Sequence, residues 1–82
     1  MLQENEKLRL LGRNIARIRK EKGYSQNELS ELLNVSREHL AKIETAKRGL
    51  SLKLLFKLNE VLNVPESAFF DFNESDLDFR KS

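Results

Sequence analysis

The sequence contains no cysteine and no tryptophan, and it has only one proline and three glycines among its 82 residues. Without cysteine, no disulfide stabilises the fold, and a zinc site would have to be built from His39 and carboxylates. No segment approaches the roughly 18 apolar residues of a membrane-spanning helix. The N-terminus is polar and lacks the apolar region of a signal peptide. These absences favour one small domain with its own hydrophobic core, located in the cytoplasm.

Charge is distributed unevenly along the chain although the net charge is only +2. Residues 1–57 hold 13 basic and 7 acidic side chains, whereas residues 58–82 hold 2 basic and 6 acidic ones. A basic front and an acidic end suit a protein that turns one face toward a polyanion. Chance clustering on a solvated surface would give the same counts, so charge alone leaves the partner open.

The first part of the chain predicts an amphipathic helix that ends near Lys22. Apolar residues recur there at helical spacing, at Leu8, Leu11, Ile15 and Ile18. Gly23 then supplies the permissive backbone of a helix end, and basic residues in the last turn suit the helix dipole.

Two short helices follow with a very tight turn between them. Ser25 and Glu28 form a capping-box pattern that predicts the start of a second helix. Asn34 stops that helix, because asparagine tolerates the left-handed conformation. Ser36 is a fresh N-cap for a third helix that extends to about Thr45. Helices joined this closely cross steeply, which is the helix-turn-helix arrangement.

The rest of the chain predicts a central fourth helix and a short fifth one. Ser51 caps the fourth helix, which is apolar over much of its circumference, and the chain before Pro65 ends it. Residues 66 to about 70 are expected to form the fifth helix. We therefore divide the chain into a polar N-terminal extension (1–7), a domain (8–72) and an acidic tail (73–82). Leu77 and Phe79 in the tail have no assigned role.

The third helix turns one side away from its apolar positions. On a wheel of about 100° per residue that starts at Arg37, Leu40 and Ile43 fall near 300° and 240°. The opposite side is made of Arg37, Glu38, Ala41, Lys42 and Thr45. In the major groove of DNA, Arg and Lys pair with guanine, Glu accepts from cytosine, and Ala contacts the thymine methyl. An ordinary solvated face carries similar residues, so the wheel alone leaves both interpretations open.

DNA phosphates would need partners of their own. The free N–H groups in the first turn of the second helix form an anion site, beside the side-chain amides of Gln26 and Asn27. Lys47 and Arg48, in the loop after the third helix, are candidates for a phosphate on the other side of the groove. The same two residues also suit a plain surface loop.

Three stretches in a fixed order carry a resemblance to a known family: RKEKGYSQNELS at 19–30, NVSR at 34–37 and IE at 43–44. Over residues 8–70 the chain resembles the phage Cro/C1-repressor (Xre) helix-turn-helix family. The resemblance implies an all-α, compact, five-helix lambda-repressor-like domain, with the helix-turn-helix at helices 2 and 3. Its recognition helix, about 36–45, enters the major groove. The family roles imply base contacts by Arg37, Glu38 and Lys42, and phosphate contacts by Gln26, Ser36, Thr45 and Lys47.

The resemblance also implies a structural ion pair, and the chain differs from the family pattern at four positions. Arg19 and Glu44 resemble the family's internal ion pair, which links the first helix to the end of the third. Ser30 stands where the family has alanine, and Asn34 where glycine is common. Ala46 and Leu50 replace a usual glycine and a frequent proline, which leaves the shape of the 46–50 loop open.

A helix-turn-helix monomer contacts few base pairs, so the family usually binds as two-fold dimers with recognition helices about 34 Å apart. We expect a homodimer whose interface uses the late fourth helix, the fifth helix and the tail. The candidate residues are apolar: Leu62, Val64, Phe69, Phe70 and Phe72. Closure of the monomer core is the alternative role for these residues.

The sequence thus predicts a sequence-specific transcriptional regulator that binds double-stranded DNA, like an autonomous repressor or a restriction–modification controller. The alternative is an antitoxin-like module that also binds a protein partner. A helical peptide-binding module would explain the fold but not the arrangement of Gln26, Arg37 and Lys42. No nucleophile–base pair, metal-ligand cluster or Gly-rich phosphate loop is present, so we expect no enzyme, cofactor, metal or small-molecule ligand. His39 is expected to be a packed residue at the rim of the core, and not a ligand or a switch.

Overall fold

The computed structural model describes residues 4–71, and this part of the chain is all-helical. Its elements are α1 Glu4–Glu21, α2 Gln26–Leu33, α3 Arg37–Glu44, α4 Leu52–Leu62 and the 3-10 helix Glu66–Ala68. The all-α helix-turn-helix fold is confirmed, but the fifth helix is a single 3-10 turn. α1 begins inside the segment 1–7 that the sequence assigns to an extension, and the tail 73–82 lies outside the described residues. None of the helices in the described range is long and apolar enough to cross a membrane.

Serine side chains start three of the four α-helices, as the sequence predicts. Each hydroxyl accepts a hydrogen bond from the backbone N–H three residues later, at 3.0 or 3.1 Å; the residues are Ser25, Ser36 and Ser51. At α2 the capping box is complete, because the N–H of Ser25 donates to Glu28 Oε1 at 2.8 Å. Each cap of this kind stabilises its helix by about 1 kcal/mol.

Each of the four α-helices is followed, within two residues of its end, by a residue with left-handed backbone geometry. The φ angles are +85°, +61°, +63° and +57°, at Gly23, Asn34, Ala46 and Asn63. In each case the following N–H returns to a carbonyl five residues back, as Lys47 N–H does to Lys42 at 2.8 Å. Glycine and asparagine tolerate this conformation, whereas alanine is strained in it. The 46–50 loop therefore begins with the left-handed backbone conformation typical of glycine, although this chain has alanine at position 46.

The hydrophobic core takes residues from each of the four α-helices. Leu11, Ile15 and Ile18 of α1 pack with Leu29 and Leu33 of α2, Leu40 and Ile43 of α3, and Leu54, Leu55, Leu58 and Leu62 of α4. Phe69 closes the core after the 3-10 helix and is fully buried. Its carbonyl oxygen accepts a hydrogen bond from Asn14 Nδ2 of α1 at 2.9 Å. The chain that follows α4 is thereby fixed against the first helix.

Gly12 lets α1 approach the end of α3 very closely. A Cβ atom built on Gly12 would lie 2.5 Å from the carbonyl oxygen of Ile43 and 2.6 Å from that of Glu44. Both neighbours are backbone atoms, which cannot turn aside as a flexible side chain can. Only glycine therefore allows the two helices to meet at this distance.

Candidate nucleic-acid interface

The turn between α2 and α3 orients the third helix. Asn34 has φ +61° and ψ +42°, and the N–H of Val35 donates to the carbonyl of Ser30 at 3.0 Å. Ser30 itself is buried, and its hydroxyl donates to the carbonyl of Asn27 at 2.9 Å, so its polar group is satisfied. Residues 25–45 are therefore two crossing helices and not one continuous rod.

α3 presents a polar side to solvent. Leu40 and Ile43 are buried in the core, while Arg37, Glu38 and Lys42 are exposed. Ala41, between them, is half-buried. Lys42 Nζ lies 3.9 Å from Glu38 Oε2, so these two side chains form a weak exposed pair one turn apart. The arrangement offers two cations, one carboxylate and a small apolar residue along one side of a helix.

A buried ion pair joins α1 to the end of α3. Arg19 Nε donates to Glu44 Oε2 at 2.7 Å, and Nη2 donates to Oε1 at 3.2 Å. Only 7% of each residue is exposed to solvent. The remaining side of the guanidinium donates to the carbonyl of Tyr24 at 2.9 Å. A desolvated charge pair is tolerated when its hydrogen bonds are satisfied in this way.

Gln26, the first residue of α2, connects this ion pair to the outer side of α3. Its Nε2 donates to Glu44 Oε1 at 2.9 Å. Its Oε1 accepts a long bond of 3.5 Å from Arg37 Nη1. The Gln26 amide therefore restricts the position of the Arg37 side chain. The second N–H of Gln26 Nε2 is available to an external acceptor.

The other residues predicted to contact phosphates lie at the start of α2 and around the two ends of α3. Asn27 is exposed in the first turn of α2, Ser36 is exposed before α3, and Lys47 and Arg48 are exposed after it. The backbone N–H groups of Lys47 and Arg48 both donate to the carbonyl of Lys42, at 2.8 and 3.2 Å. The loop is thus held against α3. The Thr45 hydroxyl donates to Ala41 within its own helix at 2.8 Å, so it keeps only acceptor capacity.

A helix-turn-helix family model matches residues 15–69 of the chain. The chain belongs to this helix-turn-helix family. It is of the Cro/C1 type that the sequence resembles. The matched residues include the whole of α2, α3 and α4, with the ion pair and the turn described above.

Named relatives of the chain are transcriptional regulators. SinR of Bacillus subtilis is 36% identical over 63 residues, which are 76% of this chain and 57% of SinR. The regulator y4dJ of Sinorhizobium fredii is 34% identical over 56 residues, which are 68% of this chain and 73% of y4dJ. The chain spans only 18% of two longer relatives, from Thermococcus kodakarensis and Pyrococcus horikoshii.

Solved structures of regulators share the fold. The restriction-modification controller protein C.AhdI from Aeromonas hydrophila superposes with a TM-score of 0.73 at 28% identity, covering 77% of this chain and 96% of that chain. The clp gene regulator ClgR from C. glutamicum gives a TM-score of 0.70 at 26% identity, with coverage of 74% and 79%. This chain is therefore a member of a helix-turn-helix family of transcriptional regulators.

Within this helix-turn-helix domain, the structure reveals a basic row on α1 that the sequence analysis left without a role. Arg13, Arg17 and Lys20 line an open surface depression of about 440 Å³ that also reaches Glu44. Arg17 is paired with Glu21 at 3.1 Å on the surface. The repeat of basic residues three and four positions apart is the signal that would have found this row.

The structure corrects the predicted dimer residues. Leu62 is 1% exposed and Phe69 is 0% exposed, so both close the core of the monomer and offer nothing to a partner. Val64 is partly buried against the same core. Phe70 remains available, with 47% of its surface exposed, and Phe72 lies outside the described residues. Apolar periodicity did not separate these cases, because a core residue and an interface residue follow the same spacing.

Proposed function

We propose that this regulator binds DNA sequence-specifically, with α3 in the major groove. The observation that carries the proposal is the outward side of α3, where Arg37 and Lys42 are exposed beside Ala41. An α-helix fits the major groove, and these side-chain types match the donor and acceptor patterns of base edges there. The family and its named relatives support a role in transcription regulation.

The contacts divide by chemistry into base-reading and phosphate-binding groups. We assign base contacts to Arg37, Glu38, Ala41 and Lys42, which share the outward side of α3. We assign phosphate contacts to groups in the first turn of α2 and at the two ends of α3, namely Gln26, Asn27, Ser36, Thr45, Lys47 and Arg48. Arg19 and Glu44 have a structural role, because they are buried and bonded to each other.

We further propose that the protein acts as a homodimer on a two-fold operator. A single domain of this kind reads few base pairs, and two-fold dimers double the site. The likeness to a restriction-modification controller over 96% of its chain supports an autonomous regulator of similar kind. We infer no enzymatic reaction for the chain, and we infer that it binds its DNA in the cytoplasm.

Selection of binding sites from random duplex DNA tests the proposal. The wild-type protein should enrich one sequence, and Arg37→Ala and Lys42→Ala should each lose the preference at particular base pairs. A loss of roughly 1–3 kcal/mol per position is expected for a base contact. Lys47→Ala should instead weaken binding to all sequences alike. If the wild-type protein enriches no sequence, the proposed specificity is wrong.

A further inference from the structure

The open depression beside the basic row of α1 also touches the end of α3. The residues that line it are Arg13, Ala16, Arg17, Lys20, Glu21 and Glu44. The basic side chains among them are exposed, whereas Glu44 is buried. Gly12, in the same helix, lies against the backbone carbonyls of Ile43 and Glu44. The basic row therefore runs past the C-terminal end of α3.

Glu44 lies at the edge of the outward side of α3. On a wheel of about 100° per residue, Glu44 falls only about 20° from Arg37, which belongs to the proposed base-reading side. The amide of Gln26 joins the two, since it donates to Glu44 at 2.9 Å and accepts from Arg37 at 3.5 Å. The charge of Glu44 is itself neutralised by Arg19. The basic row and the base-reading side therefore have one buried, paired carboxylate as a common neighbour.

Two of the three side chains in the basic row have no counter-charge. The guanidinium of Arg17 is paired with Glu21 at 3.1 Å. Within the part of the chain that the structure describes, no carboxylate oxygen lies within 4 Å of the charged nitrogens of Arg13 or Lys20. Two exposed, unpaired cations on one side of a helix favour an anionic partner.

We propose that Arg13 and Lys20 bind phosphates of the DNA strand that borders the groove occupied by α3. These contacts rest on the proposed function, because they require α3 to lie in the groove. A helix with its side chains is about 10–12 Å wide and the major groove is about 12 Å wide. A helix in the groove therefore brings the residues that flank it against the bordering backbone.

The spacing of the two cations suits two separate phosphates. Arg13 and Lys20 are seven residues apart, which is about 10 Å along the helix axis. Successive phosphates of one strand are about 3.4 Å apart along the duplex axis. Phosphate contacts fix the position of a protein on DNA but carry no sequence information. The basic row should therefore add affinity without changing the preferred sequence.

The test measures how binding to the selected site depends on salt for Arg13→Ala and for Lys20→Ala. Each phosphate contact contributes about −0.9 to the slope of log K against log salt. We expect each variant to have a slope shallower by about that amount and to bind roughly 5–10-fold more weakly at 0.1 M salt. The preferred sequence should stay the same. Lys20→Arg keeps the charge and should retain the wild-type slope.

Lys7→Ala is the matched control on the same helix. Lys7 is exposed like Lys20 but lies about 140° away from it around the helix axis, so its loss should leave the slope unchanged. Ethylation interference then locates the contact. Ethyl groups on the phosphates that the wild type contacts should block binding, and Lys20→Ala should become insensitive to ethylation at one of them.

Several results would overturn the proposal. If the wild type binds its site and Arg13→Ala and Lys20→Ala keep the wild-type slope, the basic row does not contact DNA. An equal change for Lys7→Ala would show an effect of net charge alone, and a changed sequence preference would show base contacts instead. If an alanine variant does not fold, glutamine at the same position removes the same charge and carries the same expectation.

Failure of the proposed function gives a different result. A wild type that enriches no sequence fails in the selection itself, before any variant of α1 is measured, and the contacts of Arg13 and Lys20 fall with it. Loss of the proposed contacts alone leaves the selected sequence and its binding by the wild type intact.

Discussion

The side-chain amide of Gln26 donates to the carboxylate of Glu44 at 2.9 Å, which ties the first residue of α2 to the last residue of α3. Glu44 is at the same time bonded twice to Arg19 of α1. Three helices therefore meet at one buried carboxylate. The opposite end of the Gln26 amide touches Arg37 on the outward side of α3, so the buried network and the proposed base-reading side are in direct contact.

Removal of that carboxylate should strongly destabilise the protein. Glu44→Ala leaves the buried Arg19 guanidinium without its counter-charge, and losses of about 3–5 kcal/mol are typical of such changes. For a domain of this size, the melting temperature should then fall by more than about 10 °C. Glu21→Ala removes the exposed partner of Arg17 and should cost at most about 1 kcal/mol. Equal melting temperatures for the two variants would contradict a structural role of Glu44.

Gly12→Ala should also destabilise the fold, for a steric reason. The added methyl would lie 2.5 Å from the Ile43 carbonyl oxygen, so α1 and α3 must separate, at a cost of about 1–3 kcal/mol or more. Gly49→Ala is the matched control, because nothing lies within 4 Å of its added Cβ. Urea denaturation should show a lower midpoint for the first variant and an equal or slightly higher one for the second. Similar midpoints would mean that the helices adapt to the methyl group.

Ala46→Gly should stabilise the protein, which is unusual for a change to glycine. Ala46 has φ +63°, a conformation that costs a residue with a Cβ atom roughly 1–2 kcal/mol. Glycine removes this strain, but part of the gain in stability is offset because glycine loses more chain entropy on folding. Ala41→Gly, inside α3, should have the opposite sign and cost about 0.5–1 kcal/mol. Calorimetry gives the melting temperatures of both variants. A lower melting temperature for Ala46→Gly would show that the turn is not strained.

Phe70→Ser should weaken self-association without changing the stability of the monomer. Phe70 is 47% exposed, and Leu32 on α2 is 48% exposed. Leu32→Ser is therefore a control of similar exposure outside the predicted interface. Sedimentation equilibrium should show weaker dimers for the first variant only. If the wild type stays monomeric at high micromolar concentration, with and without DNA, the proposed homodimer is wrong.

Much of the fold could be predicted because its signals are local. Ser25, Ser36 and Ser51 start helices by bonding a backbone N–H three residues away, and Asn34 ends one by its own backbone preference. These are properties of a few neighbouring residues. The buried faces of α1, α3 and α4 could likewise be predicted from helical spacing.

The features that the sequence leaves unpredicted or open depend on distant parts of the chain. The need for Gly12 arises from carbonyl groups more than thirty residues later, which no local pattern contains. The fifth helix is a single 3-10 turn, and Phe69 directly after it is buried and accepts a hydrogen bond from Asn14 of α1. Leu62 and Phe69 fit both a dimer contact and the monomer core, because apolar spacing cannot distinguish the core of one subunit from the contact between two.

The assigned roles in DNA contact remain predictions, and the central one is that α3 occupies the major groove. Methylation interference on the selected binding site tests it most directly, because guanine N7 lies in the major groove and adenine N3 in the minor groove. We expect methyl groups at guanine N7 within the site to block binding, and Arg37→Ala to remove that sensitivity at one position in each half-site. Interference at adenine N3 alone, with guanine N7 unaffected, would contradict the account.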